Sequence, residues 1–156
     1  MATYIPVDVF RRELLDLLDE TFENTKGIYL DRDTSLFETL NDLSAGQASK
    51  AISPRGATIA GHVEHMRFYL DVLTGCIRRE SVEKIDWQDS WQLTEVDEQE
   101  WAATKQRLQD AYHNTLEAIK TLDLWEGEDN IGASLAILAH TASHLGSIRQ
   151  ALHIVK

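Results

Sequence analysis

Several things are scarce or missing in this chain, and each absence removes a class of answer. Cys76 is the only cysteine, so there is no internal disulfide and a reducing, cytoplasmic setting is expected. A catalytic thiol at Cys76 is chemically conceivable, but Leu73 and Ile77 beside it favour a packed helical residue. No stretch has eighteen uninterrupted apolar residues, and Met1-Ala-Thr-Tyr-Ile-Pro-Val7 lacks a basic region followed by an apolar core, so the expectation is a soluble protein with no membrane partner. Positive charge is also short. Fifteen Lys and Arg stand against 26 Asp and Glu, a formal net charge of −11. Residues 80–129 hold fourteen acidic side chains and four basic ones. Such a surface repels phosphate backbones and excludes nucleic acid as an expected partner; its simplest role is a solvated face. There is no serine nucleophile elbow, phosphate loop or dinucleotide fingerprint. Internal repeats, low-complexity tracts and flexible linkers are absent too.

What is present is helical periodicity. With 156 residues, 43% of them hydrophobic, the chain can bury one sizeable core, and residues 1–156 are read as a single domain. After Pro6, a good first-turn residue, Phe10, Leu14, Leu17, Leu18 and Phe22 recur at three- and four-residue steps and predict a first helix over about 7–25, ended by Gly27. A long connection, 27–56, carries a short apolar helix around Ser35–Leu43 and room for another turn before Pro54; a connection of this length is expected to pack. Ile59, Val63, Met66, Leu70, Leu73 and Ile77 mark a second long helix, about 57–79. Residues 80–96 read as an acidic crossover pinned by Trp87 and Trp91, long enough to let the third long helix run parallel to the second. Asp97 and Glu100 cap that third helix, about 98–122, and a short turn over 126–130 makes the fourth its antiparallel neighbour.

The fourth helix carries the chemistry. In Ala136–Leu152, His140 and His144 stand four residues apart, so both imidazoles reach one point beside the helix. From Asn130 to Lys156 the only formal charges are Arg149 and Lys156, so much of this helix must be buried. Two buried imidazoles need partners, either a metal or a shared hydrogen-bond network. A second pair, His62 and His65, stands in Thr58-Ile-Ala-Gly-His-Val-Glu-His-Met66 on the second long helix, and a bundle could bring the pairs together. Periodicity places His62 nearer the apolar stripe than His65. His113 and His153 read as surface residues, and Glu64 and Asp71 as solvated carboxylates away from the stripe. Three neutral imidazoles suit zinc, nickel, iron or copper, and they leave coordination positions open.

These residues resemble the DinB-like superfamily (DinB/YfiT type) over most of the chain. Thr58-Ile-Ala-Gly-His-Val-Glu-His65 is similar to that family's second-helix motif, in which a histidine follows the helix-opening Ser or Thr by seven residues. Asp86-Trp87, Ser90-Trp91 and Glu100-Trp101 resemble the middle segment of one branch, and Ala139–Leu152 resembles the fourth-helix motif. The resemblance implies an all-α four-helix bundle of up-down-down-up topology, often homodimeric, with His65, His140 and His144 binding a divalent metal, zinc or nickel first, with iron, manganese and copper also compatible. His62 is left as a residue that supports these ligands or replaces one of them. Characterised relatives include thiol-dependent transferases and isomerases that use low-molecular-weight thiols such as bacillithiol or mycothiol. The expected function is therefore a metal-dependent thiol S-transferase or related hydrolase acting on a low-molecular-weight thiol and a small electrophile, with a metal-bound water or thiolate as the reactive group. The alternative is a non-enzymatic metal-binding or dimerisation bundle of a stress response.

Overall fold

Apolar residues repeated every three to four positions produce four long helices, and the contacts between them set their directions. In the computed structural model, which describes residues 4–53, 56–81, 84–126 and 128–156, these are α1 (Val7–Phe22), α4 (Ile59–Ile77), α5 (Glu98–Thr121) and α6 (Ala133–Val155). Two short helices, α2 (Leu36–Asn41) and α3 (Ala45–Ala48), lie in the connection after α1, and a 3-10 turn, Trp87–Trp91, lies between α4 and α5. No strand occurs among the described residues.

Named contacts give the directions. Arg107 lies 3.7 Å from Glu64 and Thr115 lies 2.7 Å from Thr74, so α4 and α5 run parallel. His62 meets His144 and His65 meets His140, so α4 and α6 run antiparallel. Arg11 donates to the Leu122 carbonyl while His113 faces Glu23, which makes α1 antiparallel to α5. The crossover thus returns the chain to the end where α4 began, as its length allows.

The capping expectation at Asp97 matches the described geometry, Asp97 Oδ1 accepting from the Glu100 N–H at 2.8 Å, and α4 has a cap of its own, Thr58 Oγ1 accepting from the Gly61 N–H at 3.1 Å. The first helix ends earlier than its periodicity predicts, at Phe22. The reason is Glu20. Its carboxylate, fully buried, turns back to collect the backbone N–H groups of residues 26–30, and the chain must leave the helix to present them. Gly27 supplies the left-handed backbone, φ 77°, that this loop requires. The long connection packs as expected, burying Leu36, Leu40, Leu43, Ala45 and Ala48. Trp101 ties it to α5 by donating its indole N–H to the Leu43 carbonyl at 2.8 Å. The end of the connection at Pro54, and Gly127 of the predicted turn, lie outside the described residues. Asn130, fully buried, organises the approach to α6: it accepts from the Glu126 N–H and donates to the Leu124 carbonyl.

The core lies between the long helices. Phe22 stacks on Tyr112 with centroids 4.2 Å apart, and Leu18, Met66, Leu108, Ile119, Ile137 and Ile148 close around them. Where a turn over 126–130 is expected, a π-helical segment, Glu128–Gly132, leads directly into α6, and the combined run Asp129–Val155 is the one helix among the described residues long and apolar enough to cross a membrane, by length and composition alone. A third of that apolar stretch is buried, and its buried residues include Ile137, Thr141, Leu145 and Ile148 of α6, a helix that contacts α4 and α1.

Candidate metal centre

Antiparallel α4 and α6 carry their histidine pairs to the same level. A helix repeats a face every three to four residues, so His62 and His65 on α4 oppose His144 and His140 on α6 in reversed order. His65 is buried, 7% exposed, while His62, His140 and His144 are half-buried. Periodicity had pointed to His62 as the inward residue; His65 is the more buried because the 3-10 turn, invisible to a helical wheel, folds over its side of α4.

Three ring nitrogens converge. His65 Nε2 lies 3.0 Å from His140 Nε2, which lies 3.1 Å from His144 Nε2. His65, His140 and His144 thus form a group whose ligand atoms all fall within 4.8 Å of one another and which could hold a metal ion. Metal–nitrogen bonds of 2.0–2.1 Å in a tetrahedral site place neighbouring donors about 3.3–3.4 Å apart, close to the two spacings about His140. His62 is different. Its Nδ1 meets His144 Nδ1 at 2.8 Å, on the far side of that ring from the convergence point.

Aromatic side chains hold the rings. Trp91 lies flat on His65, centroids 4.0 Å apart and planes 17° from parallel, and meets His62 edge-on. Tyr69 lies flat on His140, 3.5 Å and 8°. Trp87 packs against Phe68 and Tyr69 while staying 40% exposed. The crossover is therefore pinned by its tryptophans, as expected, yet the residue it buries completely is Ser90, 1% exposed. Ser90 Oγ contacts His65 Nδ1 at 2.6 Å and donates to the Trp87 carbonyl at 2.6 Å.

Burial lowers the pKa of all four histidines, because desolvation disfavours the imidazolium and their neighbours are other imidazoles. His140 is pushed down to about 4 and His144 to about 3, desolvation leading in both and the surrounding histidines adding to it. His62 and His65 shift in the same direction, again from desolvation first. Near neutral pH all four are therefore uncharged, the form a metal requires. Without a cation the arrangement is poorly satisfied. His140 Nε2 lies between His65 Nε2 and His144 Nε2, so with the protons of those two rings on Nδ1 one N–H would have to serve both, and His140 Nδ1 is buried with no hydrogen-bond partner. A cation at the three Nε2 atoms would remove the sharing at His140 Nε2, while His140 Nδ1 stays without a partner.

No family model, curated protein or solved structure matches this chain. The site is judged on its own geometry.

The other singled-out residues lie elsewhere. His113 is exposed and faces Glu23 at 3.4 Å; His153 is exposed beside a cleft of about 520 Å³ between α2 and the end of α6. Cys76 packs against the core and is half-buried. Glu64 is not a free, solvated carboxylate: its side chain is largely buried and pairs with Arg67 at 2.7 Å, whose guanidinium also reaches Asp71. Ser90 and Tyr69 are contact residues of the site that their sequence neighbourhoods do not distinguish from an ordinary loop serine and an ordinary helix-edge tyrosine.

Proposed function

We propose that the chain is a DinB-like four-helix bundle whose His65, His140 and His144 hold a divalent metal, zinc or nickel first, for a thiol S-transfer or related hydrolytic reaction. The observation that carries this reading is the convergence of three uncharged imidazole Nε2 atoms at 3.0 and 3.1 Å, with two of the three rings only half-buried. The relative directions of α1, α4, α5 and α6 support the up-down-down-up bundle to which the motifs point. A divalent ion so held supplies Lewis acidity toward a water or a thiol at the coordination positions that three protein ligands leave free.

The chain's own residues do the rest. Tyr69 and Trp91 stack on His140 and His65 and restrict their rotation, and Trp91 also shields the α4 side of the cluster from water. The half-buried edges of His140 and His144 leave an approach from outside. A small thiol and a small electrophile suit that approach. The same aromatic cover favours a second reading, a metal-stabilised bundle without turnover, in which the ion serves the fold.

Elemental analysis of untagged protein purified without chelator separates these. About one divalent ion per chain, lost in His65→Ala and His144→Ala, is the expected result. Turnover with a panel of thiols and electrophiles then supports the enzyme, and metal without turnover or thiol-induced spectral change supports the structural role. No metal even after incubation with zinc and nickel would end both readings.

A further inference from the structure

The hydrogen bonds behind two of the three imidazoles bear on their tautomers: a fixed direction selects that of His65, and an available acceptor suits that of His144. Ser90 has one hydroxyl proton, and the Trp87 carbonyl, an obligate acceptor 2.6 Å away, takes it. The contact between Ser90 Oγ and His65 Nδ1, 2.6 Å, must then be donated by the histidine. His65 therefore carries its proton on Nδ1 and leaves Nε2 bare toward the convergence point. His144 meets the same requirement by another route. For its Nε2 to face that point as a donor of electrons, its proton sits on Nδ1, and the atom 2.8 Å beyond is His62 Nδ1, which accepts it. His140 has no such support, since its Nδ1 lacks a partner and Tyr69 holds only its flat face.

Resting on the metal-centre reading above, we propose that Ser90 and His62 are positioning residues: each accepts the Nδ1 proton of one ligand, Ser90 from His65 and His62 from His144, and so presents two bare Nε2 atoms to the ion before it arrives. Partners of this kind fix both ring orientation and tautomer, and their loss weakens metal affinity about 10–100-fold. Because Ser90 belongs to the 3-10 turn, orientation of His65 also depends on the turn staying docked on α4. His62, although close to the ligands, supports one of them rather than replacing it.

The test combines tautomer assignment with affinity. Long-range proton–nitrogen NMR of the metal-free wild-type protein near pH 7.5 is expected to show His65 and His144 protonated at Nδ1 and His62 at Nε2. Zinc titration against a competing chelator is expected to show Ser90→Ala and His62→Leu each about 10–100-fold weaker than wild type. His62→Asn places an amide oxygen near the position of Nδ1 and is expected to recover most of the loss. A role limited to packing would leave His62→Asn as weak as His62→Leu. Wild-type protein that binds zinc through His65, His140 and His144 while Ser90→Ala and His62→Leu bind it equally well would overturn this inference and leave the metal centre standing. An Nε2-protonated His65 or His144 would overturn it without any variant. Wild-type protein that binds no zinc would remove the centre and the inference together.

Discussion

Trp91 lies flat on His65, ring centroids 4.0 Å apart, with His144 5.8 Å from the same indole. The indole is thus placed to report on whatever occupies the histidine cluster. Copper(II) or nickel(II) is expected to quench its emission on binding, and Trp91→Phe to abolish most of the response while leaving stoichiometry unchanged. Trp87, one ring removed from His140 through Tyr69, is expected to keep a smaller response in that variant, while Trp101, buried under the Leu43 carbonyl, and Trp125, packed on Phe10, touch none of the four histidines and are expected to contribute little. A titration followed by tryptophan fluorescence decides it; a response in Trp91→Phe as large as the wild type's would overturn the assignment of Trp91 as the main reporter.

Metal is expected to stabilise the fold in step with the logarithm of its free concentration over its dissociation constant. A ligand that binds only the native state adds about 2.7 kcal/mol at a hundred times its dissociation constant. Thermal melts with excess zinc should therefore shift upward in the wild type and stay put in His140→Ala, whose ring is the middle one of the three. A chelator should reverse the wild-type shift.

Acid is expected to destabilise the metal-free protein in a window set by the histidines. His140 and His144 titrate near 4 and 3 when folded, against an ordinary value of 6.5. Between those values the unfolded chain binds protons that the folded chain refuses, so stability is fully present above about pH 6.5 and falls as pH drops toward 4. Urea midpoints measured from pH 7.5 to 4.5 test this. His140→Gln should flatten the slope, and bound metal should be released over the same range.

Glu20 governs a lower window and a different part of the chain. Burial alone would raise its carboxyl pKa, but hydrogen bonds from the Leu30, Ile28, Gly27 and Tyr29 N–H groups outweigh this and hold it below its ordinary 4.5. Its contribution is present above about 4.5 and is lost as pH falls through the lowered value. Glu20→Gln keeps the shape, surrenders the charge and sets an amide group against several N–H donors. A loss of about 1–3 kcal/mol in urea unfolding is expected, with metal affinity unchanged.

The four long helices were legible because each buries one stripe, and a stripe of apolar residues at helical spacing is a local property of the sequence. Leu14, Leu18 and Phe22, or Val63, Met66 and Leu70, announce their own burial. The His140–His144 pair was legible for the same reason, since four residues is a turn of helix. The early end of α1 was not, because it depends on Glu20 meeting residues six to ten positions later.

Sequence by itself thus determined where the four long helices lie, which of their faces are apolar, and that two pairs of histidines stand one turn apart. Only the tertiary structure decided how those pairs meet. Periodicity describes one helix at a time and ranked His62 above His65. The 3-10 turn reverses that ranking by covering His65 and bringing Ser90 to its Nδ1, while the antiparallel register of α4 and α6 turns His62 toward the back of His144. Contacts between elements distant in the chain depend on how the helices pack, and no local pattern records that.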